Sequence, residues 1–194
     1  EFTVVMGPSG SGKSTMLNLM GGLDRPTSGR VMVTGKDTAG LSSSSLSRLR
    51  LNNIGFVFQA YNLIPVLTAY ENAEYILMLQ GMPAARRKEI VLGLLKTVGL
   101  EGMENRFPRE LSGGQQQRVA IARAIAAEPE LVLADEPTAN LDSKTSASLL
   151  DLMMDLNRKK DVTFLFSTHD PEVMDRARRV IRLRDGRIEE DIKH

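Results

Sequence analysis

The 194-residue chain contains no cysteine. That excludes disulfides and thiolate metal sites, and it fits a reducing compartment. No apolar run approaches the roughly 18–20 residues needed to span a bilayer, and the opening residues do not read as a secretory leader. Charge of one sign is also lacking: 25 basic against 24 acidic residues leave a net +1. No general attraction to nucleic acid or to an anionic membrane surface is therefore implied. There is no internal repeat, and the serine run Ser42–Ser45 is too short for a low-complexity segment; it reads as a loop ahead of a helix. What remains is ordinary globular composition, 42% hydrophobic and 25% charged. The length suits one compact core with room for a small subdomain.

Apolar patterning gives an α/β order. "FTVVM" (Phe2–Met6) is a short β-branched run ending at Gly7, which predicts a buried strand and a turn. "KSTMLNLMGG" predicts a helix closed by Gly21 and Gly22. "GRVMVTG" (Gly29–Gly35) and "IGFVFQ" (Ile54–Gln59) read as strands. From about Thr68 to Ala127 the spacing turns helical, with one helix in "ENAEYILMLQ", another in "AARRKEIVLGLLKTVG" ending at Gly99, and a third after "LSGG". Strands return in "LVLA" (Leu131–Ala134) and "VTFLF" (Val162–Phe166), continuous apolar runs of the kind buried on both faces of a parallel sheet. Between them a helix runs from Ser143 to about Asn157. Asp170-Pro171 reads as the cap and first position of a further helix, and "RVIRLRDGRIEED" as a hairpin around Asp185-Gly186. The basic residues near the end include Arg176, Arg178, Arg179, Arg182, Arg184 and Arg187; Arg182 and Arg184 alternate with Ile181 and Leu183, and Asp185, Glu189, Glu190 and Asp191 follow. These arginines read as a solvated face rather than a nucleic-acid patch. The terminal His194 is expected to be disordered.

Three stretches carry chemistry. "GPSGSGKS" (Gly7–Ser14) satisfies every position of the phosphate-loop pattern and lies between a strand and a helix. Its glycines let successive N–H groups face a phosphate, and the helix start adds its positive dipole end. Lys13 is placed for β- and γ-phosphates and the Ser14 hydroxyl for Mg²⁺. "LVLADEPT" brings Asp135 and Glu136 out at the carboxyl end of a strand, where open α/β sheets bind ligands. Asp135 is placed to hold Mg²⁺ through water, and Glu136 to polarise an attacking water. His169 ends the next strand on the same expected edge, within reach of a γ-phosphate or that water; a purely structural histidine is the alternative. "LSGGQQQR" (Leu111–Arg118) is the third. Ser112 and Gln115 fit a capping box, which by itself asks for neither Gly113 nor Gly114. The pair could instead expose helix-start N–H groups to a second anion, for which one chain holding one nucleotide offers no ligand.

Taken together these residues resemble the nucleotide-binding subunit of an ATP-binding-cassette (ABC) transporter. "GPSGSGKST" is similar to that family's Walker A loop, Gln59 to its Q-loop, "LSGGQQQR" to its signature motif, "LVLADEP" to its Walker B strand, "NLD" (Asn140–Asp142) to its D-loop and "STHD" to its switch histidine. Order and spacing agree over essentially the whole chain. "FVFQAYNLIPVLTAYEN" and "ADEPTANLDS" are most similar to the lipoprotein-release and macrolide-exporter branch. The resemblance implies a P-loop NTPase fold with a mainly parallel sheet, a small antiparallel β portion and an inserted helical subdomain, divided as 1–59 with about 128–194, and about 60–127. It implies ATP and Mg²⁺ as ligands, with Gly7, Pro8, Ser9, Gly10, Ser11, Gly12, Lys13, Ser14 and Thr15 around the phosphates. Ser14, Gln59 and Asp135 would serve the metal; Glu136, His169, Lys13 and Gln59 would serve hydrolysis. Two subunits would meet head to tail, so that Ser112, Gly113, Gly114 and Gln115 contact the nucleotide held by the other chain and Asp142 crosses the interface. Gln59 would also sense a membrane permease, whose coupling helix would dock on residues 60–70 with Tyr61, Leu63, Ile64, Pro65 and Val66 as apolar contacts. The subunit would then be cytoplasmic, peripheral on the inner face of the membrane, with no nucleic-acid partner.

One departure stands out. The family carries an antiparallel hairpin and an adenine-stacking aromatic ahead of the phosphate-loop strand, whereas Glu1 opens almost directly into that strand. This reads as truncation, with weakened ATP affinity and "RVMVT" left as an exposed edge. Non-transport relatives fit less well. Repair and chromosome ATPases place sustained heptads between phosphate loop and signature, and translation factors carry two cassettes per chain. A GTPase reading rests on "NRKKD" (Asn157–Asp161), which lacks the lysine of the guanine-reading pattern.

Overall fold

A computed structural model describes residues 1–169, 173, 174 and 176–194. The helix start expected at Asp170-Pro171 lies outside them. Six strands form one sheet in the order β4 (Ile54–Phe58), β5 (Leu131–Asp135), β6 (Thr163–Ser167), β1 (Phe2–Met6), β7 (Arg179–Arg184), β8 (Arg187–Lys193). All neighbours are parallel except β7 and β8, which form the antiparallel hairpin expected at Asp185-Gly186. Among the described residues the α-helices of eight residues or more are α1 (Lys13–Met20), α2 (Ser43–Asn53), α3 (Ala69–Leu79), α4 (Ala84–Thr97), α5 (Gly113–Ile125) and α6 (Ser143–Lys160).

Strand period explains the two cores. Successive side chains leave a strand on opposite faces. Val4, Val132, Ala134, Phe164, Phe166 and Val180 fall in one buried cluster with α3, α4, α5 and α6. Val5, Leu133, Leu165 and Ile181 fall in the other, against Leu17 of α1 and Leu49 of α2. A sheet covered on both faces cannot alternate apolar with polar, which is why these strands read as unbroken apolar runs. Phe2, Phe164 and Phe166 pack within the first cluster at centroid separations of 4.5–6.1 Å, Phe164 stacked on Phe166 and Phe2 tilted against both.

Three expectations need correction. The strand expected over Gly29–Gly35 shrinks to β2 (Met32–Val33), which pairs only with β3 (Lys36–Asp37). Thr34 and Gly35 both take positive φ, 49° and 75°, so the chain turns back in a tight primed hairpin turn as soon as it has begun. Met32 is 59% exposed, in keeping with an uncovered ribbon. Second, Ser43–Ser45 are not a loop: they are the first turn of α2, and the Ser42 side chain caps it by accepting from the Ser45 N–H at 3.2 Å. Serine is favoured there because its oxygen satisfies an orphan helix donor. Third, His194 is held in place, its N–H donating to the Arg178 carbonyl at 2.9 Å.

Arg179, Arg182 and Arg184 are neutralised across the hairpin, whereas Arg176 is half-buried and pairs with Asp151 of α6 at 3.6 Å. Arg179 grips Asp191 with both Nε and Nη2, at 2.8 and 2.7 Å. Arg182 meets Glu190 at 3.3 Å and Arg184 meets Glu189 at 3.5 Å across the hairpin. The Arg179 hydrogen bond holds the Asp191 carboxyl below its ordinary value.

Packing is tight where α5 crosses β4. A methyl on Gly55 would sit 2.4 Å from the Ala124 carbonyl oxygen, a backbone atom that cannot swing aside. Gly55→Ala is therefore expected to cost about 1–3 kcal/mol, the usual range for overpacking. Gly93 of α4 has nothing within 4 Å of its added methyl, so Gly93→Ala should gain about 0.5–1 kcal/mol through helix propensity and a stiffer unfolded chain. Urea midpoints moving in opposite directions would bear this out; equal shifts would not.

Candidate functional site

Register brings the chemistry together. Phe58 aligns with Asp135, Asp135 with Ser167, and Ser167 with Val5. The carboxyl ends of β4, β5, β6 and β1 therefore open on one edge of the sheet, and the segments that leave them meet there. The cavity at that edge has a volume of about 590 Å³ and is lined by Gly7, Pro8, Ser9, Gly10, Gly12, Lys13, Ser14, Thr15, Gln59, Asp135, Glu136, Ala139 and His169. Of the sequence-predicted phosphate-loop residues, only Ser11 turns away; it is buried, and its carbonyl accepts from the Gly186 N–H at 3.0 Å.

The loop leaves β1 with little room. A methyl on Gly7 would lie 2.1 Å from the Leu183 carbonyl oxygen of β7, so the backbone can turn only where no side chain stands. Gly12 caps α1 at φ 100°, a left-handed conformation that glycine adopts without penalty. The Lys13 ammonium folds back over the loop and donates to the carbonyls of Gly7 at 2.7 Å and Pro8 at 3.2 Å.

Opposite it stand the two carboxylates. The Ser14 hydroxyl donates to Asp135 Oδ1 at 3.3 Å, and the Ser167 hydroxyl donates to the same oxygen. Glu136 sits at φ 45°, unusual for a residue with a side chain and characteristic of functional turns. Its N–H donates to the Ser167 carbonyl at 2.9 Å. Oε1 lies 2.9 Å from His169 Nδ1, and Oε2 accepts from the Thr168 hydroxyl at 3.3 Å. The end of β6 thus braces both carboxylates, Ser167 on Asp135 and Thr168 on Glu136. Those two hydroxyls were missed in the sequence, and only the β5–β6 register reveals them.

Ser112, Gly113, Gly114, Gln115 and Asp142 do not line this cavity. The capping box is present: Gln115 Oε1 accepts from the Ser112 N–H at 2.8 Å, and Ser112 Oγ accepts from the Gln115 N–H at 3.3 Å. The glycines, however, have reasons inside the chain. A methyl on Gly113 would stand 2.7 Å from the Tyr61 hydroxyl, and one on Gly114 would stand 2.5 Å from Thr145 Cγ2. Close packing therefore accounts for both, and their presence alone does not require a second anion. The residues that follow are structural. Gln116 donates to the Leu111 carbonyl at 3.1 Å, and buried Gln117 donates to the Pro137 carbonyl at 2.8 Å. Arg118 reaches the Val98 carbonyl and Ser148 Oγ, both at 2.8 Å.

Asp142 caps α6, its carboxylate accepting from the Thr145 N–H at 3.0 Å and the Thr145 hydroxyl at 2.6 Å. The hydroxyl bond, followed by the backbone one, lowers its pKa. The guanine-reading alternative fails on geometry: Asn157 is buried, and its amide donates to the carbonyls of Glu1 and Val162 at 2.9 and 2.7 Å. Among the described residues no helix is long and apolar enough to cross a membrane.

Comparison with known proteins agrees with this geometry. The family model for "ABC transporter" matches residues 1–139. The chain is 52% identical over its full length to the lipoprotein-releasing system ATP-binding protein LolD of Anaeromyxobacter dehalogenans, covering 82% of that protein. It is 48% identical, over 98% of its length, to the macrolide export ATP-binding/permease protein MacB of Marinobacter nauticus, of which it covers 30%. In three dimensions it matches the ATP-binding cassette MJ0796 of Methanocaldococcus jannaschii, solved as a dimer in a post-hydrolysis state bound to ADP and Pi. The TM-score is 0.91 at 47% identity, over 100% of this chain and 85% of that one. The chain belongs to the ABC transporter family, as one of its ATP-binding subunits.

Proposed function

We propose that this chain is the ATP-hydrolysing half of a homodimeric motor that drives a separate membrane permease, exporting or extracting a lipoprotein, peptide or drug-like cargo. The observation that carries this reading is the convergence of the phosphate loop, Asp135 and Glu136 on one cavity. ATP phosphates replace the Gly7 and Pro8 carbonyls as partners of the Lys13 ammonium, and loop N–H groups at the start of α1 take the remaining charge. Ser14, Asp135 and Gln59 offer a hydroxyl, a carboxylate and a carboxamide oxygen. This hard, all-oxygen set suits Mg²⁺, which when bound neutralises charge on the transferring phosphoryl group. Among the described residues no group of three or more His, Cys, Asp or Glu is placed to hold a metal ion; a protein ligand set this small fits an ion that keeps water and phosphate oxygens in its shell. Glu136 then orients and deprotonates the attacking water, with His169 and Thr168 fixing its carboxylate.

The dimeric structures of MJ0796 and the relatives' names support pairing with a second copy and work with a permease at the inner face of a membrane. In that arrangement Ser112, Gly113, Gly114 and Gln115 face the partner's nucleotide and Asp142 lies at the interface. Residues 60–127 act as the helical subdomain, set against a core of 1–59 and 128–194, and the apolar residues after Gln59, including the 76% exposed Val66, meet the permease.

Lys13→Ala should weaken ATP binding about 10–100-fold, the worth of hydrogen bonds to a charged group. Phosphate release by the unmodified chain should stop when EDTA removes divalent ions. Titration with a fluorescent ATP analogue and a phosphate assay measure the two. Undiminished affinity would remove Lys13 from the site, and turnover in EDTA would remove the metal.

A further inference from the structure

The turn after Gln59 is strained. Tyr61 and Asn62 take φ 60° and 48° in succession, a left-handed conformation that asparagine tolerates but that is costly for Tyr61. Local hydrogen bonds close it, from the Tyr61 N–H to the Phe58 carbonyl at 3.1 Å and from the Asn62 N–H to the Ala60 carbonyl at 2.6 Å. Its outer carbonyls are held from elsewhere. Arg123, near the end of α5, donates Nη2 to the Tyr61 carbonyl at 3.0 Å and Nη1 to the Asn62 carbonyl at 2.7 Å. Burial lowers its pKa, yet among the described residues it makes no ion pair; its fork is committed to this turn. The other end of α5 touches the same turn, because the Tyr61 hydroxyl stands where a methyl of Gly113 would be. On the near side the Gln59 carbonyl accepts from Asn140 at 3.1 Å, and Gln59 lines the nucleotide cavity.

We propose that Arg123 is a positioning residue: with the Tyr61 hydroxyl it clamps the strained turn to α5, so that a change at Gln59 displaces Ser112 and Gly113. The helix that carries both contacts is continuous over 13 residues and moves as a body. A turn in an unfavourable backbone state, tied to both ends of one helix, is the kind of element through which two sites can be coupled. The proposal rests on the reading that Ser112 and Gly113 face the partner's nucleotide, and it adds how that face is tied to the nucleotide cavity of its own chain.

Arg123→Lys keeps the charge but loses the fork. It should lower kcat for ATP about tenfold with KM unchanged, and should speed amide exchange in residues 59–66 and 111–116 together. Asn62 is exposed, and glycine tolerates positive φ. Adding Asn62→Gly should therefore stabilise the turn without Arg123, restore about fivefold of the lost kcat and slow exchange again in both segments. Exchange that rises only in 59–66, or a loss that Asn62→Gly does not recover, overturns the clamp. Exchange needs no nucleotide, so it judges the clamp separately. If both segments respond while the unmodified chain shows no ATP-driven dimer, the trans reading fails and the clamp stands.

Discussion

Glu136→Gln is expected to bind ATP as the unmodified chain does, to hydrolyse it about 10²–10⁴-fold more slowly, and to accumulate as an ATP-bound dimer. The size of the effect follows from what the substitution spares. A carboxamide fills the same volume, and its oxygen can still accept from the Thr168 hydroxyl, now 3.3 Å from Oε2. Its amide can donate to His169 Nδ1, now 2.9 Å from Oε1. The backbone at φ 45° is the same problem for either side chain. Only basicity and negative charge are lost, so the deficit measures proton abstraction rather than collapse of the site. Single-turnover phosphate release and light scattering with ATP give the two readouts. Full turnover would take Glu136 out of the role, and Asp135 would then be the remaining carboxylate to test.

Why the sequence disclosed so much of this site, and where it stopped, is a matter of range. The phosphate loop was legible because its chemistry is local: strand, glycines, lysine and serine are consecutive. The acidic strand end was legible because a run of four apolar residues points whatever follows at the sheet edge. What was hidden depends on partners distant in the chain. Ser167 and Thr168 brace the carboxylates only because β5 and β6 run parallel and in register, and a sequence without its pairing does not state that register. The short β2 was hidden because Thr34 takes a left-handed turn that a strand-forming residue does not advertise. The glycine pair was the most instructive case. A helix cap explains Ser112 and Gln115, and two unneeded glycines argued for an anion from another chain. Tyr61 and Thr145 fill the space beside them, so a role towards another chain shows only at a residue whose surroundings within the chain leave it free.

Ser112 is that residue. It is exposed, it lies outside the nucleotide cavity, and among the described residues its side chain is held only by the capping box. Ser112→Arg should leave ATP binding to the isolated chain unchanged while abolishing ATP-driven dimerisation and with it hydrolysis. Two effects are mixed in that substitution. Loss of the cap costs about 1 kcal/mol of stability; a bulky cation at the face that meets the partner's nucleotide costs association. Ser112→Ala separates them, since it removes the hydroxyl and adds no bulk. It should show the stability loss in a urea melt, yet still form the dimer in a Glu136→Gln background, where hydrolysis does not drain it. Substitutions at Gly113 or Gly114 cannot make the distinction, because a methyl at either strikes its own chain before it reaches a partner. If Ser112→Arg and Ser112→Ala dimerise alike, or if Ser112→Arg hydrolyses ATP at the unmodified rate, the serine does not face a second nucleotide, and α5 begins with a cap and nothing more.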